Sequence, residues 1–233
     1  MTSLADQSTT ELGGPLSILT RQQQDHVRLE ALLRELETCA VGEQQVVLHR
    51  IARLVFPHAF AEESVLWPEL RRLLPDAEEL TLRVEQEHQE VNELWTRLEQ
   101  TLPTSAERRD LVARLVEVLR EDVRDEEDQL LPRLQDAVGT HRLRVLGVAW
   151  EVVRRSAPTR PHPVVSRRPP GNALAALPLT VLDRTRDVLD GAARRSPALH
   201  QHLTRASHGL ATAAGRVEQL GVLRRGEDPS TSR

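Results

Sequence analysis

EESVLWPEL (62–70) and EEDQLLPRL (126–134) follow one template: Glu-Glu, two variable residues, Leu, a variable residue, Pro, a variable residue, Leu. Four residues before each first glutamate stands another ionisable residue, His58 ahead of Glu62 and Asp122 ahead of Glu126. Residues four apart share one face of a helix, so each copy aims two metal-competent side chains the same way. Apolar residues continue both faces. One stripe runs Ile51, Leu54, His58, Glu62, Val65, and the other runs Leu111, Leu115, Val118, Asp122, Glu126, Gln129. Both glutamates therefore read as inward-facing.

Two further stripes have the same helical period and carry a histidine each: Leu19, His26, Leu29, Leu33, Leu36 and Leu80, Val84, His88, Val91, Trp95, Leu98. The stretches DHVRLEALLRELE (25–37) and EHQEVNELWTRLE (87–99) are similar, with an acidic residue before each histidine. The chain thus reads as two copies of a helix pair. No strand-like alternation interrupts them. The short connections around Val41–Gly42, Pro75 and Pro103 favour antiparallel neighbours, and the expected fold is an all-α, up-down four-helix bundle. Pro15 suits a first helical turn, and Asp76 with Glu79 and Thr104 with Glu107 have capping-box spacing. Gly139 is placed to end the fourth helix.

The bundle is expected over 15–137, with an additional helix packed on it within 138–156. A proline-rich linker, APTRPHPVVSRRPP and the glycine after it, is expected over 157–171, and a helical tail over 172–233 with a disordered end. The tail is expected either to dock on the bundle or to meet a protein partner.

Composition narrows the function. The chain has 233 residues, is 28% charged and has a net charge of −4, which does not suit a nucleic-acid or anionic-membrane surface. No apolar run approaches a membrane span, and MTSLADQSTT lacks the layout of a secretory leader. A single cysteine, Cys39, leaves no internal disulfide, so a reducing, cytoplasmic setting is expected. Tyrosine is absent, which excludes a tyrosinate ligand.

A bare carboxylate in a bundle core costs several kcal/mol unless paired or metal-bound. His26, His58, Glu62, His88, Asp122 and Glu126 place six ionisable groups on the apolar stripes of four helices, and a pair of multivalent cations would compensate them. Glu63, Glu127 and Glu87 adjoin the stripes and are expected at the bundle margin. Glu85 and Glu87 are candidates to support His88. His49, His141, His162, His200, His202 and His208 lack the pattern and read as solvated or linker residues. Trp95 and Cys39 read as core packing.

Histidine, His-x-x-x-Glu, histidine and (His/Asp)-x-x-x-Glu in order on four helices resemble the hemerythrin-like, or HHE cation-binding, family. The segment after the bundle is similar to that of its actinobacterial members. The resemblance covers about 15–137. It implies two non-haem iron ions, with manganese admissible, bridged by Glu62 and Glu126. His26 and His58 would then serve one ion, and His88 and Asp122 the other. It further implies chemistry with dioxygen, peroxide or nitric oxide, or sensing of oxygen or iron. Aspartate at 122 departs from the family's histidine, and a set of three imidazoles and three carboxylates favours redox turnover or sensing over reversible oxygen carriage. The alternatives are a sensing or interaction module that signals through the C-terminal tail and a bundle whose site has decayed.

Overall fold

A computed structural model describes residues 2–231. Among these the regular structure is helical. The bundle comprises α1 (Ile18–Thr38), α2 (Gln44–Ala61) continued by α3 (Trp67–Leu73), α4 (Ala77–Gln100), and α5 (Ala106–Asp125) continued by α6 (Leu131–Ala137). Between α2 and α3, and again between α5 and α6, lies one π-helical turn, Glu62–Leu66 and Glu126–Leu130. Each doubled glutamate of the repeated template opens one of these turns.

Proline explains the wide turns. Pro68 and Pro132 lack an N–H, and in an unbroken α-helix their rings would clash with the carbonyls of Ser64 and Asp128. The helix widens instead, and the N–H groups of Trp67 and Leu131 donate five residues back to the carbonyls of Glu62 and Glu126. Adjacent residues of a regular α-helix sit about 100° apart. The local widening lets both members of each Glu-Glu pair reach groups inside the bundle.

The caps differ from expectation by small shifts. Ser17 caps α1, accepting from the Leu19 N–H, so Pro15 lies in the turn before the helix. Ser105, not Thr104, caps α5 by accepting from the Arg108 N–H at 3.1 Å. Asp76 makes no cap bond and instead pairs with Arg133. The fourth rod ends at Ala137, and Gly139 occupies the N-cap of α7 (Thr140–Arg155).

The core divides into two apolar halves. One gathers Leu33, Leu36, Leu48, Ile51, Trp95, Leu98, Leu115 and their neighbours at the end that holds the α1–α2 connection. The other gathers Leu19, Leu66, Trp67, Leu70, Val84, Leu131 and Leu134. It extends ahead of residue 15 to Leu4 and Leu12, both fully buried. Between the two halves lie the six ionisable residues of the stripes. Trp95 is core as expected, edge-on to Phe56 with centroids 5.3 Å apart.

Helix α7 packs across α1 and α2, burying Leu143, Leu146 and Trp150. Gly147 lets the backbones meet: a Cβ there would run into the Leu16 carbonyl and come 2.8 Å from Ile18 N. Gly147→Val is expected to destabilise the fold by about 1–3 kcal/mol or more, the usual range for overpacking, read as a lower urea midpoint.

Residues 157–170 carry no helix but are not a solvated connector. Ala157, Thr159, Arg160, His162, Val165, Ser166 and Arg167 are buried. They form a strap between the bundle and a hairpin of α8 (Gly171–Arg195) and α9 (His200–Glu218), which has its own small core of Val165, Ala175, Leu179, Ala214 and Leu223. His162, expected to be a plain linker residue, lies between Asp183 at 3.0 Å and Glu218 at 2.9 Å. The two acids outweigh its burial and raise its pKa to about 9. His141, His200, His202 and His208 are exposed, and His49 is half-buried. Of the C-terminal end expected to be disordered, residues 232 and 233 lie outside those described.

Candidate metal centre

α1 contributes His26, α2 His58, α4 His88 and α5 Asp122, and the two π turns begin with Glu62 and Glu126. All six sequence-predicted residues meet at mid-height in the bundle. Glu62, Glu126, His26 and His88 are buried, and His58 and Asp122 are 9% and 8% exposed. Donor atoms of His26, His58, Glu62 and Glu126 converge in one group, and those of His88, Asp122 and Glu126 in a second, each within 4.8 Å of one another. Glu126 belongs to both groups. Glu62 lies between them, with Oε1 3.0 Å from His58 Nε2 and Oε2 3.7 Å from His88 Nε2.

The three imidazoles are oriented in one way. His26 Nδ1 donates to Glu127 Oε1 at 2.9 Å, His58 Nδ1 to Asp25 Oδ2 at 3.3 Å, and His88 Nδ1 to Glu63 Oε1 at 2.9 Å. A carboxylate accepts only, so Nδ1 carries a proton and Nε2 faces the cluster, its lone pair available once the ring is neutral. Carboxylate–histidine pairing of this kind is usual behind a metal-bound imidazole. The π turns thus divide labour within each Glu-Glu pair. Glu62 and Glu126 face the centre, while Glu63 and Glu127 reach the histidine of the other helix pair.

Inside the centre, hydrogen bonding fails. His26 Nε2, both oxygens of Glu62, both of Glu126 and Asp122 Oδ1 are buried without a hydrogen-bond partner. The 3.1 Å approach of His26 Nε2 to Glu126 Oε2 is an ion-pair distance lacking hydrogen-bond alignment. Leaving such groups unsatisfied is costly. The donor set of imidazole nitrogen and carboxylate oxygen suits iron, manganese or zinc, so the residues present fit a pair of cations.

The electrostatics of the metal-free protein record the same crowding. Burial, then the charges of Glu62 and Asp122, push the Glu126 carboxyl up to about 8. Burial opposes a charged His26, but Glu126 and Glu127 outweigh it and raise its pKa to about 9. His58 and His88 are likewise raised well above the ordinary range against the effect of burial, mainly by Glu62 and Asp122 respectively. Glu62 is held low despite burial because His58, His88 and His26 surround it.

Supporting residues differ from expectation. Glu63 is fully buried rather than marginal, and it, not Glu85 or Glu87, holds His88. Glu85 is taken by Arg71 at 2.6 Å and Arg168 at 2.7 Å. Glu87 stays near Asp122, where burial and the charges of Asp122 and Asp125 lift it to about 8. Asp25 precedes His26 but serves His58. The sequence hint for Glu63 and Glu127 was the proline six residues after Glu62 and Glu126, which forces the wide turn; Asp25 had no such signal.

A cavity of about 20 Å³ adjoins the centre, lined by His26, His58, His88 and Asp122 on one side and Leu29, Leu54, Leu119 and Val123 on the other. Trp150 of α7 closes the site over His58, ring edge to face with centroids 5.3 Å apart. A groove of about 970 Å³ around Leu36, Arg108 and Arg120 lies away from the centre and holds no histidine.

The hemerythrin HHE cation binding domain matches residues 17–134, half of the chain, and takes in all six candidate ligands. The protein belongs to this family, whose domain binds metal cations. No curated protein and no solved structure matches the chain. No described helix is long and apolar enough to cross a membrane.

Proposed function

We propose that the protein is a non-haem di-iron protein that handles dioxygen, peroxide or nitric oxide. The observation that carries this reading is the set of buried, unpartnered donor atoms facing one another between the two apolar cores. His26 and His58 would hold one ion, His88 and Asp122 the other, and Glu62 and Glu126 would bridge them, with manganese an admissible substitute. A ferrous pair supplies two electrons to a bound oxidant.

The chain's own residues do the rest. Asp25, Glu63 and Glu127 keep the imidazoles in register with Nε2 inward. The aliphatic wall of Leu29, Leu54, Leu119 and Val123 leaves space of about 20 Å³ beside the donors, enough for a water or a diatomic molecule. That wall and Trp150 limit access of bulk water. Glu87, lifted in the metal-free protein by burial and by the charges of Asp122 and Asp125, is the carboxyl on the Asp122 side that can exchange a proton.

Anaerobic reconstitution with Fe(II), desalting and metal analysis test the proposal. About two equivalents of iron per chain are expected, with a change in the near-ultraviolet and visible spectrum on exposure to air. Less than about one equivalent of iron or manganese would sink it.

A further inference from the structure

Two of the three histidine-orienting carboxylates lie within ion-pair distance of an arginine that comes from outside the four-helix bundle. At Asp25, which holds His58, the partner is Arg154 of α7, 3.6 Å away. Arg154 is fixed over the Trp150 ring at 5.0 Å and paired with Glu151 at 2.9 Å. At Glu63, which holds His88, the partner is Arg167 of the strap, 3.9 Å away. Its Nη2 donates to the carbonyls of His162 and Val165, both at 2.9 Å. Arg167 itself is buried, and its backbone N–H is held by Glu227. The third carboxylate, Glu127 behind His26, has no arginine at ion-pair distance among the described residues.

A second connection reaches His88 through the backbone. Asn92 donates to the His88 carbonyl at 2.8 Å and accepts from the His162 N–H at 2.9 Å. The strap therefore grips α4 one turn beyond His88 while Arg167 approaches Glu63 on the α2–α3 rod. Neither arginine belongs to a repeat of the helix pair, and each serves a different half of the centre.

We propose that Arg154 and Arg167 are positioning residues of the metal centre, each holding the carboxylate that orients one histidine, so that the segment after the bundle sets the two halves separately. This rests on the di-metal reading. An Asp25 or Glu63 side chain held in place keeps the Nδ1 proton and the ring plane of its histidine fixed, and Nε2 is then a better-aimed donor. Without the arginine the carboxylate sits buried against the other acids of the centre and loses its fixed position.

The test uses the full chain with Arg167→Met, Arg167→Lys and Arg154→Met. Stepwise Mn(II) titration should show Arg167→Met weakening one of two equivalents by about tenfold, at the lower end of what loss of a supporting partner costs, with the other unchanged and Arg167→Lys partly restored. Arg154→Met, at a partly exposed site that should not threaten folding, should weaken one equivalent in the same way. In metal-free protein labelled with ¹⁵N-histidine, Arg167→Met should broaden or shift the His88 Nδ1–H signal and spare His26, and Arg154→Met should do so for His58. Wild-type titrations and unchanged imidazole signals would overturn the proposal, as would an equal effect on every histidine. Wild-type protein that takes up no metal would remove the functional reading, while the imidazole signals would still decide the positioning roles.

Discussion

Glu126→Gln is expected to abolish binding of both metal ions while leaving the bundle folded. Glu126 is the residue whose carboxylate faces both halves, with Oε2 3.1 Å from His26 Nε2 and Oε1 3.8 Å from His88 Nε2. Loss of a residue that merely supports a ligand costs about 10–100-fold in affinity, so loss of the carboxylate proposed to bridge the ions should exceed about 100-fold for each. The metal-free variant should melt no lower than metal-free wild type at pH 8. Glutamine is close in shape, and it removes a charge that burial, Glu62 and Asp122 all disfavour. Metal analysis beside thermal melts with and without Mn(II) checks both parts. A variant that keeps one ion at wild-type affinity would show that Glu126 serves a single ion.

The second large effect is a dependence of metal affinity on pH. Binding must displace the protons that the metal-free centre retains. Glu126 at about 8 and His26 at about 9 keep protons at pH 7, and His58 and His88, raised well above the ordinary range, keep theirs as well. Mn(II) affinity should therefore rise steeply between pH 7 and pH 9, by more than about tenfold, with proton release measurable by calorimetry in two buffers. Metal-free stability should move the opposite way. Glu126 is raised above its unfolded value of 4.5, so the folded state keeps a proton that the unfolded state has lost, and stability falls as pH rises toward 8. His26 stabilises fully below 6.5 and loses that contribution as pH rises through about 9. Glu62 and Asp25 are lowered, so their contributions are in place above the ordinary carboxylate range and add no slope here. Between pH 6.5 and 8 both slopes are negative. A metal-free melting temperature that climbs over that window would contradict these protonation states.

Much of this was legible in the residues themselves. Apolar period alone specified the helices of the bundle, because a stripe at three- and four-residue spacing can be buried in only one way. The six candidate ligands were readable because ionisable groups on such stripes stand out against their neighbours. The internal repeat located Asp122 as the counterpart of His58. The residues behind the ligands were not readable. Asp25 sits next to His26 in sequence yet orients His58, and Glu63 was expected at the margin because an α-helical turn would have placed it there. The π turn changes which face Glu63 occupies, and only its Pro68 hinted at that.

The strap shows the same division. Its prolines excluded helix, but nothing in APTRPHPVVSRRPP stated that Arg167 would be buried beside Glu63 or His162 between Asp183 and Glu218. By itself, then, the sequence determined the helical bundle, the order of the six candidate ligands along it and the asymmetry at Asp122, since these depend on local period and residue type. Only the tertiary structure decided which carboxylate holds which imidazole and which arginine holds that carboxylate. Those pairings join residues distant in the chain, and their energies depend on side-chain direction and burial, which helical spacing does not encode.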